Sequence, residues 1–445
     1  MFDVREKPKM VQKAMLVGAC FDRRQMAEAV DMVDELRELV ETLGIHVAII
    51  ETPYVREHNP RYFIGKGKAA EIIAQAKAEG CDCIVFDNEL SPGQQRAWEQ
   101  DSNLCVIDRH EVILDIFNMR ARTKEARLQV ELARLEYSMP RLTRMWAHLD
   151  RQAGGSGGGG AGGSGGAGGG GGAARGEGET QLEIDRRLAS KRIDKVKAEL
   201  LEVRQNRDTM RKERSRVPVP QAAIVGYTNV GKSSLLNKLT GADVLAEDKL
   251  FATLDTTTRR LALPDGQQML VTDTVGFVRR LPHDLVQSFR ATLEEAVNAD
   301  FLIHVLDASH ERVHEFYKTT TSVLNELGAG EKRVLLVLNK CDLITDPNVL
   351  AEVQRHFPDA VTISVKTGEG MEQLMHRLHT MLLDRVVRME VFIPMNRLDL
   401  VHLAHTEGKV LVEKYTGEGV EMQCVLPKRW ESKFAPFAAT ALSVT

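Results

Sequence analysis

Apolar and polar positions along the chain change period several times, and each change marks an element. Lys13 to Cys20, His46 to Ile50, Cys83 to Phe86 and Leu104 to Ile107 are short apolar runs that read as strands. Between them lie helical patterns. Met26 to Leu43 carries Ala29, Met32, Val33, Leu36, Leu39, Val40 and Leu43 on one face and stops at Gly44. Ala69 to Ala78 and Ser91 to Glu99 are the next two. Strands alternating with helices predict a small parallel α/β domain over residues 1–110. From Glu111 the pattern turns helical and stays so. Leu128, Leu132, Leu135 and Met139 step by four, three and four; Ile193, Val196, Leu200 and Val203 step by three, four and three. Two such seams predict a helical hairpin over residues 111–216. Two long helices packed on neighbouring domains fit the same spacing.

The alternation of strand and helix resumes over residues 221–384 and predicts a doubly wound, mostly parallel sheet. Residues 385–445 read as a small β-α-β-β module. Arg388 to Ile393 alternates, Asn396 to Leu403 is helical, and Lys409 to Tyr415 and Val420 to Val425 alternate about a turn at Gly417 and Gly419. The expected fold class is therefore multidomain α/β: an N-terminal parallel α/β domain, a long helical hairpin, a P-loop domain and a C-terminal α+β domain.

Glycine breaks the hairpin. Gly154 to Gly172 holds fifteen glycines in nineteen residues, so residues 154–174 predict a flexible loop that cannot build a core. Arg175 to Glu183 mixes charge with glycine, which suits a contact loop at a hairpin tip. A helix lead-in with Thr180 and Glu183 as a capping box is the plainer reading. Val217-Pro218-Val219-Pro220 is a stiff linker.

Charge adds one asymmetry. The chain as a whole carries -4, but Met119 to Arg216 holds 21 Lys and Arg against 13 Asp and Glu, a net +8 that leaves -12 for the rest. A basic middle in an acidic chain is compatible with RNA, and equally with a solvated hairpin. The six cysteines, Cys20, Cys81, Cys83, Cys105, Cys341 and Cys424, form no CxxC pair and read as buried thiols in a reducing compartment. No leader and no apolar run near membrane-spanning length is present, so a cytoplasmic protein without stable membrane insertion is expected.

The chemistry concentrates in four motifs, each following an apolar strand. After Ala222 to Val225 comes Gly226-Tyr227-Thr228-Asn229-Val230-Gly231-Lys232-Ser233, the G-x-x-x-x-G-K-[ST] spacing of a phosphate-binding loop, with Ser234 opening the helix. Its backbone N–H groups and the helix N-terminus face phosphates, Lys232 reaches the β/γ oxygens, and the Ser233 hydroxyl can ligate Mg²⁺. After Met269 to Val271 comes Asp273-Thr274-Val275-Gly276, suited to a carboxylate on the magnesium shell and a glycine N–H on the γ-phosphate. After Val334 to Leu338 comes Asn339-Lys340-Cys341-Asp342, whose carboxylate can accept from guanine N1–H and N2–H₂; adenine lacks that donor pair. After Val361 to Ile363 comes Ser364-Val365-Lys366. Together they predict a GTP- and GDP-binding domain. By contrast Gly65-Lys66-Gly67-Lys68 lacks the third glycine and the hydroxyl, and reads as a basic turn before a helix rather than a second nucleotide site.

Several longer stretches carry a resemblance. Tyr62 to Lys68, Phe86-Asp87-Asn88-Glu89-Leu90-Ser91-Pro92-Gly93-Gln94-Gln95-Arg96, Val106 to Arg109, Arg120 to Thr123, Glu125 to Leu132, Pro140 to Trp146, Gly178 to Glu183, Leu250-Phe251-Ala252-Thr253-Leu254-Asp255 and Asp273 to Phe277 resemble the HflX family of GTPases over essentially the whole chain. The resemblance implies a GTPase that associates with the large (50S) ribosomal subunit and its rRNA and can split stalled or idle ribosomes, notably under heat stress; a monomer is expected. It adds Phe251, Ala252, Thr253, Leu254 and Asp255 to the nucleotide site, with Thr253 as the switch threonine that joins Ser233 and Asp273 around Mg²⁺. The expected catalytic set is Lys232, Thr253 and Gly276. Two departures from the family pattern fall at the hairpin tip: the glycine tract replaces a shorter loop, and Glu177 stands where proline is usual.

The position after Gly276 is informative. Phe277 stands where Ras-like enzymes place a water-orienting glutamine, and no in-cis arginine finger is evident, although Arg259 and Arg260 are near. Slow intrinsic hydrolysis, raised by a partner, is expected. Asn229 fits either a potassium ion (K⁺) beside the phosphates or a turn residue tolerating unusual angles, the simpler reading. Two function classes follow: a ribosome-splitting or rescue GTPase, and an assembly or regulatory RNA-binding switch that splits nothing.

Overall fold

The computed structural model describes residues 11–141, 176–214, 219–241, 250–251, 254–263, 268–280, 290–383 and 386–440. Ala252, Thr253 and the glycine tract lie outside the described residues. The chain forms two compact units. One comprises Met1–Val203, Asp248–Asp255 and Arg280–Arg290; the other Arg204–Glu247, Thr256–Arg279 and Ala291–Thr445.

In the first unit, β1 (Lys13–Val17), β2 (His46–Glu51), β3 (Cys83–Phe86) and β4 (Cys105–Asp108) form a parallel sheet in the order β2-β1-β3-β4. Helix α1 (Met26–Thr42) buries Met32, Val33, Leu36, Leu39 and Val40, as its spacing requires. Helix α2 (Lys66–Ala78) starts at the GKGK turn, where Lys68 is paired with Glu51 at 3.1 Å and Glu71 at 2.8 Å. That ammonium is already neutralised by its own fold, which accounts for the lysine without a phosphate. Helix α3 (Pro92–Ser102) has Ser91 as N-cap in a complete capping box with Gln94, and proline in its first turn.

The helical run after Glu111 is not continuous. Helix α4 (Arg109–Arg120) is buried from Arg109 to Phe117, on all its faces, and so shows no amphipathic stripe. Ala121 is extended, and Thr123 caps a new helix, α5 (Lys124–Ser138). The hydroxyl-bearing cap, with acidic Glu125 in the first turn, is the start signal that an unbroken helical reading passes over. On α5, Leu128, Leu132 and Leu135 pack with Ile193, Val196 and Leu200 of the long helix Gly176–Arg214 in one apolar cluster, with Met139 and Val203 at its edge. The spacing therefore marks a true interhelical seam. Glu131–Arg192 at 2.5 Å and Glu136–Lys197 at 2.9 Å flank it. The long helix begins at Gly176, ahead of Thr180, so residues 176–183 are helical rather than a contact loop, and the helix does not start at Thr180. Extending an existing helix backwards fixes one residue per added bond, which lets it run through glycines that look like a loop in sequence.

In the second unit, β5 (Gln221–Gly226), β6 (Thr257–Ala262), β7 (Gln268–Asp273), β8 (Phe301–Asp307), β9 (Val334–Asn339) and β10 (Val361–Thr362) form a six-stranded sheet in the order β10-β9-β8-β5-β7-β6. All pairs are parallel except β6 with β7. β5 lies inside the sheet between β8 and β7. The order reverses there, so the end of β5 is where an open α/β sheet leaves a ligand crevice.

The C-terminal part is antiparallel. β11 (Val386–Pro394), β12 (Lys409–Tyr415), β13 (Gly419–Pro427) and β14 (Ala438–Thr440) are ordered β12-β13-β11-β14. Met389, Val391 and Ile393 alternate into a core with Leu400, Val401, Ala404, Val420, Met422, Cys424, Leu426 and Phe434. β14 adds a fourth strand to the β-α-β-β expectation. At three residues it is too short to show a period, and it pairs with the free edge of β11.

Candidate nucleotide site

Backbone geometry at the end of β5 explains its glycines. Gly226 has φ +151°, and a Cβ there would lie 2.3 Å from the Val305 carbonyl oxygen of β8. Gly231 has φ +92°, and its Cβ would meet Asn339 Nδ2 at 2.5 Å. Any side chain at either place would push the loop off the sheet. Asn229 is exposed at φ +58°, a left-handed conformation that asparagine tolerates. Thr228, Val230 and Tyr227 are buried. Tyr227 stacks on Phe316 with ring centroids 4.1 Å apart, and its hydroxyl accepts from the backbone N–H of Arg279 at 2.8 Å.

Lys232 opens the helix Lys232–Thr240, with Ser233 and Ser234 following half-buried. Its ammonium donates to the Tyr227 carbonyl at 2.6 Å. Burial lowers the Lys232 pKa to about 8, against the opposing pull of Asp273. The Ser233 hydroxyl donates to Asp273 Oδ2 at 2.6 Å, so β5 and β7 bring a hydroxyl and a carboxylate together at their ends. Two hard oxygen groups with one negative charge suit Mg²⁺. Thr274 Oγ1 donates to the Ile224 carbonyl at 2.7 Å, Val275 is buried, and Gly276 passes close to Lys232 and Thr228. Phe277 is buried, and its backbone is fixed to the loop: its N–H donates to Gly226 O at 3.1 Å and its carbonyl accepts from Thr228 N at 2.8 Å.

The third and fourth motifs are bonded to each other and to the first. Asn339 Nδ2 donates to the Val230 carbonyl at 2.8 Å, and its Oδ1 accepts from Val365 N at 3.1 Å. Ser364 Oγ donates to Asp342 Oδ1 at 2.7 Å, and Cys341 N donates to Ile363 O at 3.3 Å. Lys340 has φ +63° and pairs with Asp307 at 2.8 Å, while Lys366 is exposed. Sequence reading missed Asp307. Its signal was available, because it stands at the C-terminal end of a central strand, where site residues collect. His304 was also missed. It sits on β8, stacked on Tyr317, with its pKa lowered to about 3 by burial and by the Lys232 charge.

Phe251 packs its ring against Phe117 at 4.7 Å, Leu254 is buried, and the Asp255 carboxylate binds Arg122 and Thr123. These side chains belong to the first compact unit.

A proton should report occupancy of the loop. A phosphate beside Lys232 favours its charged form, so binding at pH 8 to 9 must take up part of a proton. Titration calorimetry of GDP binding in buffers of different ionisation enthalpy is expected to show uptake of about half a proton near pH 8 and little at pH 6.5. Heats independent of buffer at both pH values would mean that Lys232 does not meet the phosphates.

Three family models match the chain: "GTP-binding GTPase N-terminal" over residues 30–118, "GTP-binding GTPase Middle Region" over 120–214 and "50S ribosome-binding GTPase" over 221–340. A solved GTP-binding protein from the archaeon Sulfolobus solfataricus, in complex with GDP, aligns at 22% identity and a TM-score of 0.43, covering 84% of this chain and 99% of that one. GTPase HflX of Escherichia coli is 42% identical over 387 residues, 86% of each chain. GTPase HflX of Akkermansia muciniphila is 53% identical over 443 residues, 99% of this chain and 100% of that one. With identity of that extent from end to end, and with its four nucleotide motifs bonded into one loop cluster, the chain belongs to the HflX family of GTP-hydrolysing enzymes.

Proposed function

We propose that the protein binds GTP with Mg²⁺, associates with the large ribosomal subunit in the cytoplasm, and splits or rescues stalled ribosomes. Ser233, Thr253 and Asp273 would hold the metal ion. Lys232 and the loop N–H groups would hold the β- and γ-phosphates, with the Gly276 N–H on the γ-phosphate. Asp342 would read guanine, with Asn339 and Ser364 holding that loop in shape. The metal would supply charge at the β/γ bridge.

The observation that carries the need for a partner is Phe277. It is buried and paired by its backbone to the phosphate loop, and a phenyl ring cannot orient water by hydrogen bonding. The catalytic help absent from this position must come from elsewhere. The family-model description "50S ribosome-binding GTPase" over residues 221–340 and the net +8 of the middle region favour a ribosomal source.

Purified large subunits are therefore expected to raise GTP turnover by about 10³-fold or more, the range a group supplied in trans provides. Equal rates with and without subunits would sink the proposal of a ribosomal activator. Splitting is tested separately. Intact ribosomes incubated with the protein and a non-hydrolysable GTP analogue should separate into subunits on a sucrose gradient; stimulation without separation would favour a regulatory switch.

A further inference from the structure

Tyr227, the second residue of the phosphate loop, is held on three sides. Its ring lies flat on Phe316 of the helix Val313–Glu326, with centroids 4.1 Å apart and planes 10° apart. Its carbonyl accepts from the Lys232 ammonium at 2.6 Å. Its hydroxyl accepts from the backbone N–H of Arg279 at 2.8 Å. A phenyl ring would stack on Phe316 just as well, so the stack explains an aromatic residue here but not a tyrosine. The hydroxyl is accounted for by what it holds.

It holds the segment that leaves Gly276. Residues 274–279 carry no helix and no strand, only the isolated bridge between Tyr227 and Phe277. Their backbone groups must therefore find partners elsewhere. Three bonds fasten the segment to the phosphate loop. Phe277 N–H donates to the Gly226 carbonyl at 3.1 Å, Thr228 N–H donates to the Phe277 carbonyl at 2.8 Å, and Arg279 N–H donates to the Tyr227 hydroxyl. The first two pair main chain with main chain; of the three, only the last is carried by a side chain. The Arg279 guanidinium also overlies the Phe316 ring at 5.8 Å and lies 4.0 Å from Glu315, so both ends of Arg279 converge on one aromatic pair. Gly276 has little room to shift: a Cβ there would lie 2.8 Å from Lys232 Nζ and 2.9 Å from Thr228 Cα. A donor to developing phosphate charge needs placement that tight, because it acts at about 2.7–3.1 Å.

We propose that Tyr227 is a positioning residue for GTP hydrolysis. Its hydroxyl pins residues 277–279 to the phosphate loop and so fixes the Gly276 N–H that precedes them. The proposal rests on the reading of Gly276 as a donor to the γ-phosphate. GDP lacks that phosphate and makes no such demand, so only the triphosphate state should sense the hydroxyl.

The test uses the full chain with Tyr227→Phe, which deletes only the hydroxyl and keeps the stack and the carbonyl, and with Gly276→Ala. Tyr227→Phe is expected to lower kcat about fivefold to tenfold, the worth of one lost hydrogen bond at a donor that counts in the transition state. The discriminating readout is a pair of affinities. In Tyr227→Phe, a non-hydrolysable GTP analogue should bind about fivefold more weakly while GDP stays within about twofold of wild type. A tyrosine that merely braced the fold would weaken both equally. Hydrogen exchange should show the Arg279 amide exchanging faster in Tyr227→Phe with either nucleotide bound. Gly276→Ala is expected to lose about a hundredfold or more of turnover. Wild-type turnover in Tyr227→Phe, or an equal loss of GDP and analogue affinity, would overturn the anchor while a loss in Gly276→Ala left the Gly276 reading standing. Wild-type turnover in Gly276→Ala would remove that reading, and the proposal with it.

Discussion

Lys232→Ala is expected to lower GTP turnover by about a thousandfold or more, both alone and with large subunits. Lys232 starts the helix after the phosphate loop, is buried, and its ammonium is held over that loop by the Tyr227 carbonyl at 2.6 Å. In a site of low dielectric, charge on the β/γ oxygens that loses its counter-charge is paid for in full rather than being screened by water. Removing one neutral donor from an oxyanion site already costs about a hundredfold to a thousandfold. The substitution should not harm the fold. Burial lowers the Lys232 pKa to about 8, so the folded protein holds its charged amine at a penalty below that pH. Between about pH 8 and 10.5 the unfolded chain binds more protons than the folded one, and stability rises through that window in the wild type. The alanine variant should lose this rise and melt no lower than wild type at pH 7. Turnover at saturating GTP, with melting curves at pH 7 and 9, checks both statements. A variant within tenfold of wild-type turnover would leave the phosphate role of Lys232 unsupported.

What was legible in the sequence was whatever leaves a period or a fixed spacing. The Met32 to Val40 face of α1, the Leu128 and Ile193 seams and the alternation of Met389, Val391 and Ile393 all appear as spacing because each buries one face. The four motifs were legible because each stands directly after a strand. Two kinds of feature left no such trace. The break at Ala121 follows a helix buried on all its faces, which has no stripe to end, and the Thr123 cap marks only the start of the next one. The bonds that join the motifs, Asn339 to Val230 and Ser364 to Asp342, connect residues 109 and 22 positions apart, and a linear pattern cannot show them. The partners of Phe251 and Asp255 are of the same kind. The resemblance expects these residues at the nucleotide, and no spacing in the chain announces that their side chains also meet Phe117 and Thr123, more than a hundred residues earlier.

Asp342→Asn is expected to weaken GDP binding by about a thousandfold and to create affinity for xanthosine diphosphate. Guanine presents N1–H and N2–H₂ to the carboxylate, two donors to an acceptor pair. Xanthine carries a carbonyl at C2 in place of the amino group, so its edge offers an acceptor there. The asparagine amide could in principle turn either end to the base. Ser364 favours one of them, because its hydroxyl already accepts from Thr367 N at 3.1 Å and donates to Oδ1 at 2.7 Å, which holds the amide oxygen in the same place. The amide nitrogen is then turned toward the base, donor against donor for guanine and donor against acceptor for xanthine. Competition of GDP and xanthosine diphosphate against a fluorescent guanine nucleotide measures both affinities, and unchanged GDP binding would remove Asp342 from the base site. The same geometry sets a condition on the double variant. With Ser364→Ala added, nothing holds the amide oxygen, the group can turn its acceptor to guanine, and part of the GDP affinity should return.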